Sequence, residues 1–279
     1  MKKRDVLNSP RLLGLRRQRQ RIVLFKIFLS LTALALVFGG LVYISRIPGL
    51  NISSIEITGN KFVETPEIRA VAEKELFGKY LWVFPKTNIL LYPKSGIEKE
   101  LRKEIKRLKD INISLKNTKT LEIAVTERGA SYVWCGNTPP EGESEEKLKC
   151  NFLDSSGYMF DESPYFSGEV YFKFYGADLS QVNFDKLISF KKTSEVMGLK
   201  PVAFFIRENK NIKMLLSPAN PYSTKPEVIF KADADLETIA ENLQVTLSTE
   251  PMKSNFKNKY ASLEYIDLRF GNKVYFKFR

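Results

Sequence analysis

The chain has 279 residues, and 43% of them are hydrophobic, which is enough to fill the cores of one large or two modest domains. It contains no histidine, which excludes Ser-His and Cys-His catalysis and zinc sites that depend on imidazole. The net charge of +12 is concentrated at the start, where nine of the 44 basic residues lie at or before Lys26 and are opposed only by Asp5. The remaining 35 basic and 31 acidic residues nearly balance, which argues against a nucleic-acid-binding surface.

The first predicted element is a transmembrane helix over residues 22–45, in which Lys26 is the only charge. Roughly 20 apolar residues in a helix span the ~30 Å hydrocarbon core of a bilayer. The basic tail, residues 1–21, precedes it, so the positive-inside rule places the N-terminus in the cytoplasm and the bulk of the chain outside. No small-residue cleavage site follows, so we predict a retained single-pass anchor, with a short linker over residues 46–51.

Residues 52–128 have the pattern of a small α+β domain with the element order β-α-α-β-β. We expect a first helix with Thr65 as its N-cap and Pro66 as its first residue, and a second helix that begins with the capping box Ser95–Glu98. The second helix is expected to carry a buried stripe of Ile97, Leu101, Ile105 and Leu108. Alternating apolar residues predict strands within 51–63, which includes a turn at Gly59-Asn60, and at 111–116 and 120–128. We expect these strands to form an antiparallel sheet with both helices on one face.

Between the two helices lies an aromatic run, residues 77–92, with no regular periodicity. We expect its side chains to pack in the domain core, and the alternative is a docking surface.

Two cysteines, Cys135 and Cys150, flank a polar, acidic insert and border two apolar runs, which predicts a hairpin. In an oxidising compartment a disulfide closing this loop would contribute about 3 kcal/mol. A disulfide and two free, half-buried thiols both stay open at this point, whereas two thiols without further ligands make a poor metal site.

We predict that residues 129–279 form a mixed, strand-rich domain with two helices, near 183–197 and 235–249, and a polar loop over residues 251–259. Gly271-Asn272 between two alternating runs predicts a C-terminal β-hairpin. The predicted strands are 130–135, 150–153, 158–160, 169–175, 202–207, 211–216, 227–230, 263–270 and 273–278.

The ordered set of elements resembles the FtsQ/DivIB family of bacterial cell-division proteins, in which a POTRA (polypeptide-transport-associated) domain precedes a β domain. Four stretches and two flanking residues carry this resemblance: Ile55–Asn60 and Leu121–Arg128 as the first and last POTRA strands, Ala130 and Trp134 after them, Leu153–Gly157 as a D-x-x-G turn, and Tyr265–Phe270 as the terminal Y-I-D-L-R-F motif.

The resemblance implies a non-enzymatic, bitopic scaffold of the divisome in the inner or plasma membrane at the septum. It would link early division proteins to FtsB-like and FtsL-like partners and to septal wall synthesis, with the septal synthase pair and FtsK as further candidate partners. It implies no cofactor, no nucleic acid and no small-molecule substrate. Two alternatives stay open: a POTRA-type secretion or translocation accessory protein, and a membrane-anchored, wall-active enzyme.

The resemblance also places the FtsB contact on the last two strands, and an edge position of strand 273–278 would leave backbone groups free to accept a partner strand. The competing interpretation is that these aromatic side chains only fill a β core. The predicted partner-binding residues are Phe270, Gly271, Asn272, Lys273, Val274, Tyr275 and Phe276.

Other polar residues invite structural readings. We expect Asp267 and Arg269 to form a cross-strand ion pair, and Glu127-Arg128 to mark the joint between the domains, with hydrogen bonds that set their angle. Asp154, Asp161 and Glu162 resemble an acid pair but lie around a turn rather than in a recognisable cleft, so we do not expect catalysis.

Overall fold

A computed structural model describes residues 10–140, 148–166, 168–176, 179, 182–220 and 225–279, and within the first helix it describes side chains from Gln18 onward. The chain divides into two compact units between Glu127 and Arg128. Both units mix helices and strands, so the α+β class is confirmed.

The first element is a single long helix, α1 (Pro10–Ser45), whose described part contains a 28-residue stretch, Gln18–Ser45, that is long and apolar enough to cross a membrane. Its apolar side chains lie on the surface rather than in a core, as expected for a helix that needs lipid around it. The helix begins at a proline, continues through part of the predicted basic tail and ends before Pro48, whose ring disfavours helix at the residue ahead of it. A short 3₁₀ helix, Pro48–Leu50, follows within the predicted linker.

The rest of the first unit consists of two helices on a three-stranded sheet. Its elements are β1 (Ser54–Thr58), α2 (Thr65–Leu76), β2 (Lys79–Tyr80), β3 (Phe84–Pro85), α3 (Lys94–Glu104), β4 (Leu108–Leu115) and β5 (Thr120–Glu127). The sheet has the order β1-β5-β4, with β5 parallel to β1 and antiparallel to β4. The predicted all-antiparallel sheet is therefore wrong, because the chain crosses back over the sheet through both helices before β5 inserts beside β1.

The helix starts in this unit also differ from the sequence predictions. Helix α2 begins at Thr65 itself, after Glu64, and no side chain caps it; the Thr65 hydroxyl instead accepts a hydrogen bond from Asn60 Nδ2 at 3.0 Å. Helix α3 begins one residue before Ser95, so this residue has helical geometry and the predicted capping box does not form. Instead of reaching back to the helix start, Glu98 pairs with Arg102.

The predicted apolar stripe is buried but is shared between two elements. Ile97 and Leu101 lie on α3, Ile105 caps it, and Leu108 is the first residue of β4. All four pack in one core with α2 and the sheet, because β4 begins close to the end of α3 and its first apolar residue lies on the same side as the buried face of the helix.

The second unit is a nine-stranded mixed sheet with three helices on one face. Its elements are β6 (Tyr132–Trp134), β7 (Cys150–Leu153), β8 (Met159–Ser163), β9 (Phe172–Gly176), α4 (Phe184–Val196), β10 (Pro201–Ile206), β11 (Asn211–Leu216), β12 (Glu227–Lys231), α5 (Leu236–Ser248), α6 (Met252–Lys259), β13 (Leu263–Phe270) and β14 (Lys273–Phe278). The strand order is β14-β13-β12-β11-β10-β9-β6-β7-β8. The main core includes Phe174, Phe204 and Phe230, which are fully buried between the sheet and the helices.

Residues 251–259 were predicted as a polar loop, and this is wrong, because most of them form α6. Met252 is buried, and Phe256 contacts the ring of Tyr260 at a centroid distance of 5.3 Å on the same core. Two apolar residues, one helical turn apart, therefore hold this otherwise polar helix against the core.

The predicted hairpin around the cysteines forms, with β6 antiparallel to β7. Cys135 and Cys150 are joined as a disulfide. Cys135 is buried in a second, smaller cluster on the face of the sheet opposite the helices. Residues 141–147 of the insert lie outside the described residues.

Candidate partner-binding edge strand

Strand β14 lies at one end of the nine-stranded sheet. It pairs with β13 on one side, from Leu263 opposite Phe278 to Phe270 opposite Lys273, and the described residues place no strand on its other side. In an antiparallel pair, every second residue turns its backbone N–H and C=O away from the neighbouring strand. The outer side of β14 therefore presents a row of backbone donors and acceptors to a partner.

The side chains of β14 alternate between the two faces of the sheet, as the sequence pattern predicts. Val274, Phe276 and Phe278 are half-buried and pack against the main core, whereas Tyr275 and Lys277 are exposed. The core-filling interpretation therefore holds for the first three residues. Only the opposite face of the strand offers side chains to a partner.

The exposed side of the hairpin carries an aromatic pair. The rings of Phe270 and Tyr275 meet edge to face with centroids 5.2 Å apart, and each residue is about half exposed, at 55% and 51%. Between them the chain turns at Gly271, whose φ of +64° suits glycine, and whose carbonyl accepts a hydrogen bond from Asn242 on α5 at 3.2 Å. Rigid aromatic side chains on a fixed turn lose little conformational entropy when a partner covers them.

Charges on the strand are mostly cationic. Glu264 accepts hydrogen bonds from Lys277 Nζ at 2.7 Å and from Arg279 Nε at 3.3 Å. The hydrogen bond with Lys277 lowers the pKa of Glu264 and raises the pKa of Lys277. Lys273 is exposed at the start of the strand. Exposed lysines on an edge strand discourage pairing with another copy and leave pairing with an acidic partner favourable.

The opposite edge of the sheet is a poorer acceptor. Strand β8 is one residue shorter than β14, carries the adjacent acids Asp161 and Glu162, and is followed directly by Pro164. Acidic side chains and a proline at the end of a short strand are features that hinder edge pairing. Of the two edges, β14 is the better surface for adding a strand.

The predicted cross-strand ion pair is wrong in one respect: the partners lie on the same strand. Arg269 Nε and Nη2 donate to Asp267 Oδ1 and Oδ2 at 2.9 and 2.6 Å, and the backbone N–H of Arg269 also donates to Oδ1 at 3.1 Å. Burial alone would raise the pKa of Asp267, but these hydrogen bonds lower it overall. The pair stabilises an irregularity in the β13–β14 register between Asp267 and Phe270, just before the turn.

Glu127 makes its observed hydrogen bonds within the first unit. Its carboxylate accepts hydrogen bonds from three consecutive backbone N–H groups, those of Lys61, Phe62 and Val63, at 2.7 to 3.1 Å. It therefore closes the loop between β1 and α2. Gly59 lies at the start of the same loop with φ +88°, and a Cβ there would lie 2.1 Å from the carbonyl oxygen of Val125.

Arg128 makes its observed contacts within the second unit. Its guanidinium is paired with Asp154 and lies over the Tyr158 ring at 4.0 Å. Asp154 Oδ1 also accepts hydrogen bonds from the N–H and hydroxyl groups of Ser156 and from the N–H of Tyr158, at 2.7 to 3.0 Å. Burial raises the pKa of Asp154, but the bonds from Ser156, Arg128 and Tyr158 lower it overall. Oδ1 therefore holds the D-x-x-G turn while Oδ2 is paired with Arg128, so both carboxylate oxygens have structural partners.

The aromatic run between the helices is placed differently from the prediction. Ile89 and Tyr92 pack against the core of the first unit, but Phe77, Leu81, Trp82 and Leu90 are exposed. The core-packing prediction is therefore wrong for these four. Leu81-Trp82 could have indicated this exposure, because both large apolar residues lie at the turn of a hairpin whose strands, β2 and β3, have two residues each. The absence of a regular periodicity in this segment hid the hairpin from the sequence analysis.

In a comparison with known families, residues 50–128 match the model described as a POTRA domain, FtsQ-type. The matched range begins in the 3₁₀ helix after α1 and ends one residue after β5, so it covers the β-α-α-β-β part of the first unit. A comparison with curated proteins finds no significant match.

Proposed function

We propose that this protein is a non-enzymatic scaffold of the divisome. The FtsQ-type POTRA domain at residues 50–128 supports this proposal, because it supports assignment of the chain to the FtsQ/DivIB family of cell-division proteins. Helix α1 would anchor it in the inner or plasma membrane at the septum, with the basic tail in the cytoplasm and both folded units outside. Its work would be to hold other division proteins rather than to catalyse a reaction.

The observation that carries the partner assignment is the edge position of β14. We propose that an FtsB-like bitopic protein adds a segment to this edge and thereby brings an FtsL-like protein and septal wall synthesis to the same complex. Backbone hydrogen bonds would supply the register, while the ring pair of Phe270 and Tyr275 and the cations Lys273 and Lys277 would supply specificity.

The test compares two tyrosines of similar exposure in the same unit. Tyr275 on β14 is 51% exposed, and Tyr165, just after β8, is 53% exposed. The full chain, purified in detergent, is titrated with the extracytoplasmic segment of the FtsB-like protein from the same genome. We expect Tyr275→Glu to weaken binding about 30-fold, as for loss of a hot spot of ~2 kcal/mol, and Tyr165→Glu to bind like the unaltered chain.

Tyr275 is a better position for this test than Phe276, because Phe276 packs against the core and a charge there would also destabilise the fold. Binding by Tyr275→Glu at the unaltered affinity would refute the edge assignment. No binding of the unaltered chain to the FtsB-like segment would refute the scaffold proposal itself.

A further inference from the structure

The first unit carries an exposed apolar surface that its own fold does not explain. We call it the aromatic loop, residues 77–92, which includes the small hairpin of β2 and β3. Trp82 is 92% exposed, and Phe77, Leu81 and Leu90 are each at least 80% exposed. Four large apolar side chains exposed on one short loop indicate a surface that something else covers.

The turn at the tip of this loop has two residues whose side chains are disfavoured at the backbone angles of the turn. The N–H of Val83 donates to the carbonyl of Tyr80 at 3.1 Å, and the two residues between them, Leu81 and Trp82, both have positive φ values, 47° and 63°. Glycine and asparagine are the residues that suit such positions. Large apolar side chains held there point to a function of the tip rather than to a requirement of the hairpin.

Helix α1 lies directly beside the aromatic loop. Asn88 Nδ2 donates to the carbonyl of Ser45 at 3.1 Å, and Arg46 Nη2 donates to the carbonyl of Val83 at 3.3 Å. The ring of Phe84 meets the ring of Phe38 edge to face, with centroids 5.6 Å apart. The loop is therefore packed along the last two turns of the membrane-spanning helix.

These contacts fix the depth of the loop. Ser45 is the last residue of the uncharged run, and Phe38 lies seven residues earlier, or about 10 Å along the helix axis at 1.5 Å per residue. Because the apolar run ends at the headgroup boundary, a ring in contact with Phe38 reaches the outer acyl-chain region just below the headgroups when α1 spans a bilayer.

The charge of the loop suits the same position. Residues 76–97 contain three lysines, at 79, 86 and 94, and neither aspartate nor glutamate. Tryptophan and tyrosine favour the membrane interface, and lysine can extend its ammonium group to lipid phosphates while its methylene groups stay among apolar side chains.

We infer that the aromatic loop is a second membrane contact, in which Phe77, Leu81, Trp82 and Leu90 enter the interface of the leaflet on the POTRA side. The occupant of this surface is lipid, because the loop is continuous with the helix that lipid already surrounds. The contact holds the POTRA domain at a fixed orientation on the bilayer. With α1 as the sole contact, the domain could rotate about the linker. This inference rests on the proposed membrane span of α1.

The test uses Trp82 as a reporter in the full chain, reconstituted into vesicles of phosphatidylcholine and phosphatidylglycerol. Trp134→Phe leaves Trp82 as the sole tryptophan, since the sequence contains two. We expect its emission maximum to lie at shorter wavelength in vesicles than in urea. We also expect lipid brominated near the headgroup end of the acyl chain to quench it several-fold more than aqueous iodide does.

Phe62→Trp, in a chain that also carries Trp82→Phe and Trp134→Phe, gives a matched control. Phe62 is an exposed aromatic residue of the same unit, 76% exposed, and it lies in the loop after β1, beyond the end of the strand opposite to the linker. A tryptophan there should show the reverse order, with strong iodide quenching and little effect of brominated lipid. If Trp134→Phe does not fold, the difference between the unaltered chain and Trp82→Phe gives the Trp82 signal.

Quenching of Trp82 by iodide to the same degree as the control would overturn the inference. So would a Trp82 that neither brominated lipid nor iodide reaches, because a protein surface would then cover it. Vesicle flotation separates these results from failure of the anchor: a chain that does not float with the vesicles would contradict the membrane span itself.

Discussion

The carboxylate of Glu127 holds three consecutive backbone N–H groups, and its removal gives the sharpest test of how the POTRA domain is closed. Glu127 Oε1 accepts from Lys61 at 2.7 Å and from Phe62 and Val63 at 3.0 Å each. The N–H of Phe62 also donates to Oε2 at 3.1 Å, so both carboxylate oxygens hold this loop. We predict that Glu127→Gln and Glu127→Ala loosen the β1–α2 loop to different extents.

The magnitudes follow from what each variant leaves behind. Glutamine keeps an oxygen acceptor but loses the charge, which should cost about 1.4 kcal/mol. Alanine removes the acceptor of all three N–H groups, which should cost about 3 kcal/mol. With 1.4 kcal/mol per factor of ten, amide exchange at residues 61–63 should rise about tenfold in the first variant and about 100-fold in the second. Hydrogen exchange of the full chain, read by mass spectrometry, measures both.

The pH dependence has a defined sign. Burial raises the pKa of Glu127, but the hydrogen bonds from Lys61, Val63 and Phe62 lower it overall below 4.5. A carboxyl group whose pKa is lowered by folding stabilises the fold fully above its unfolded pKa, and this contribution is lost as pH falls through the folded value. Protection factors at residues 61–63 should therefore fall on acidification below about pH 4.5 in the unaltered chain, and less in Glu127→Gln.

Glu122→Gln is the matched control, because Glu122 lies on the same strand and, within the described part of the chain, accepts one hydrogen bond, from Ser114 at 3.3 Å. It should leave exchange at residues 61–63 unchanged. If Glu127→Ala also left these amides protected, the three bonds would contribute nothing to closing the loop and the reasoning would be wrong.

Two further predictions concern the D-x-x-G turn of the second unit. Asp154→Asn should destabilise this unit by about 3 kcal/mol in urea unfolding, because it leaves the buried guanidinium of Arg128 without its counter-charge. Since folding lowers the pKa of Asp154, the unaltered chain should lose stability as pH falls below about 4 and the variant should lose less; equal losses would contradict the assigned pairing. Gly157→Ala should cost about 3 kcal/mol in the same measurement, since φ is +83° and the new Cβ would lie 2.7 Å from the Phe184 ring; a neutral effect would show that the turn can rearrange.

Local patterns in the sequence predicted most elements because the forces behind them act over a few residues. The uncharged run that ends at Ser45 predicts α1, and alternation around Gly271 predicts the final hairpin with its register of inward and outward side chains. The α+β class follows from the order of these patterns. The resemblance of Glu127-Arg128 and the D-x-x-G turn to family motifs marked residues that matter, although their contacts could not be read from it.

The tertiary structure alone decided how these elements combine, because that depends on pairings between residues far apart in the chain. Parallel pairing of β1 with β5, the edge position of β14 and the packing of the aromatic loop on α1 each join segments that no local pattern connects. Only the tertiary structure decided that Trp82 is exposed, since the large ring of tryptophan with its polar N–H suits either a core or a membrane interface. The sequence by itself determined most of the helices and strands and the candidate anchor. The fold determined which of their surfaces remain free to bind, because exposure is a property of the assembled molecule.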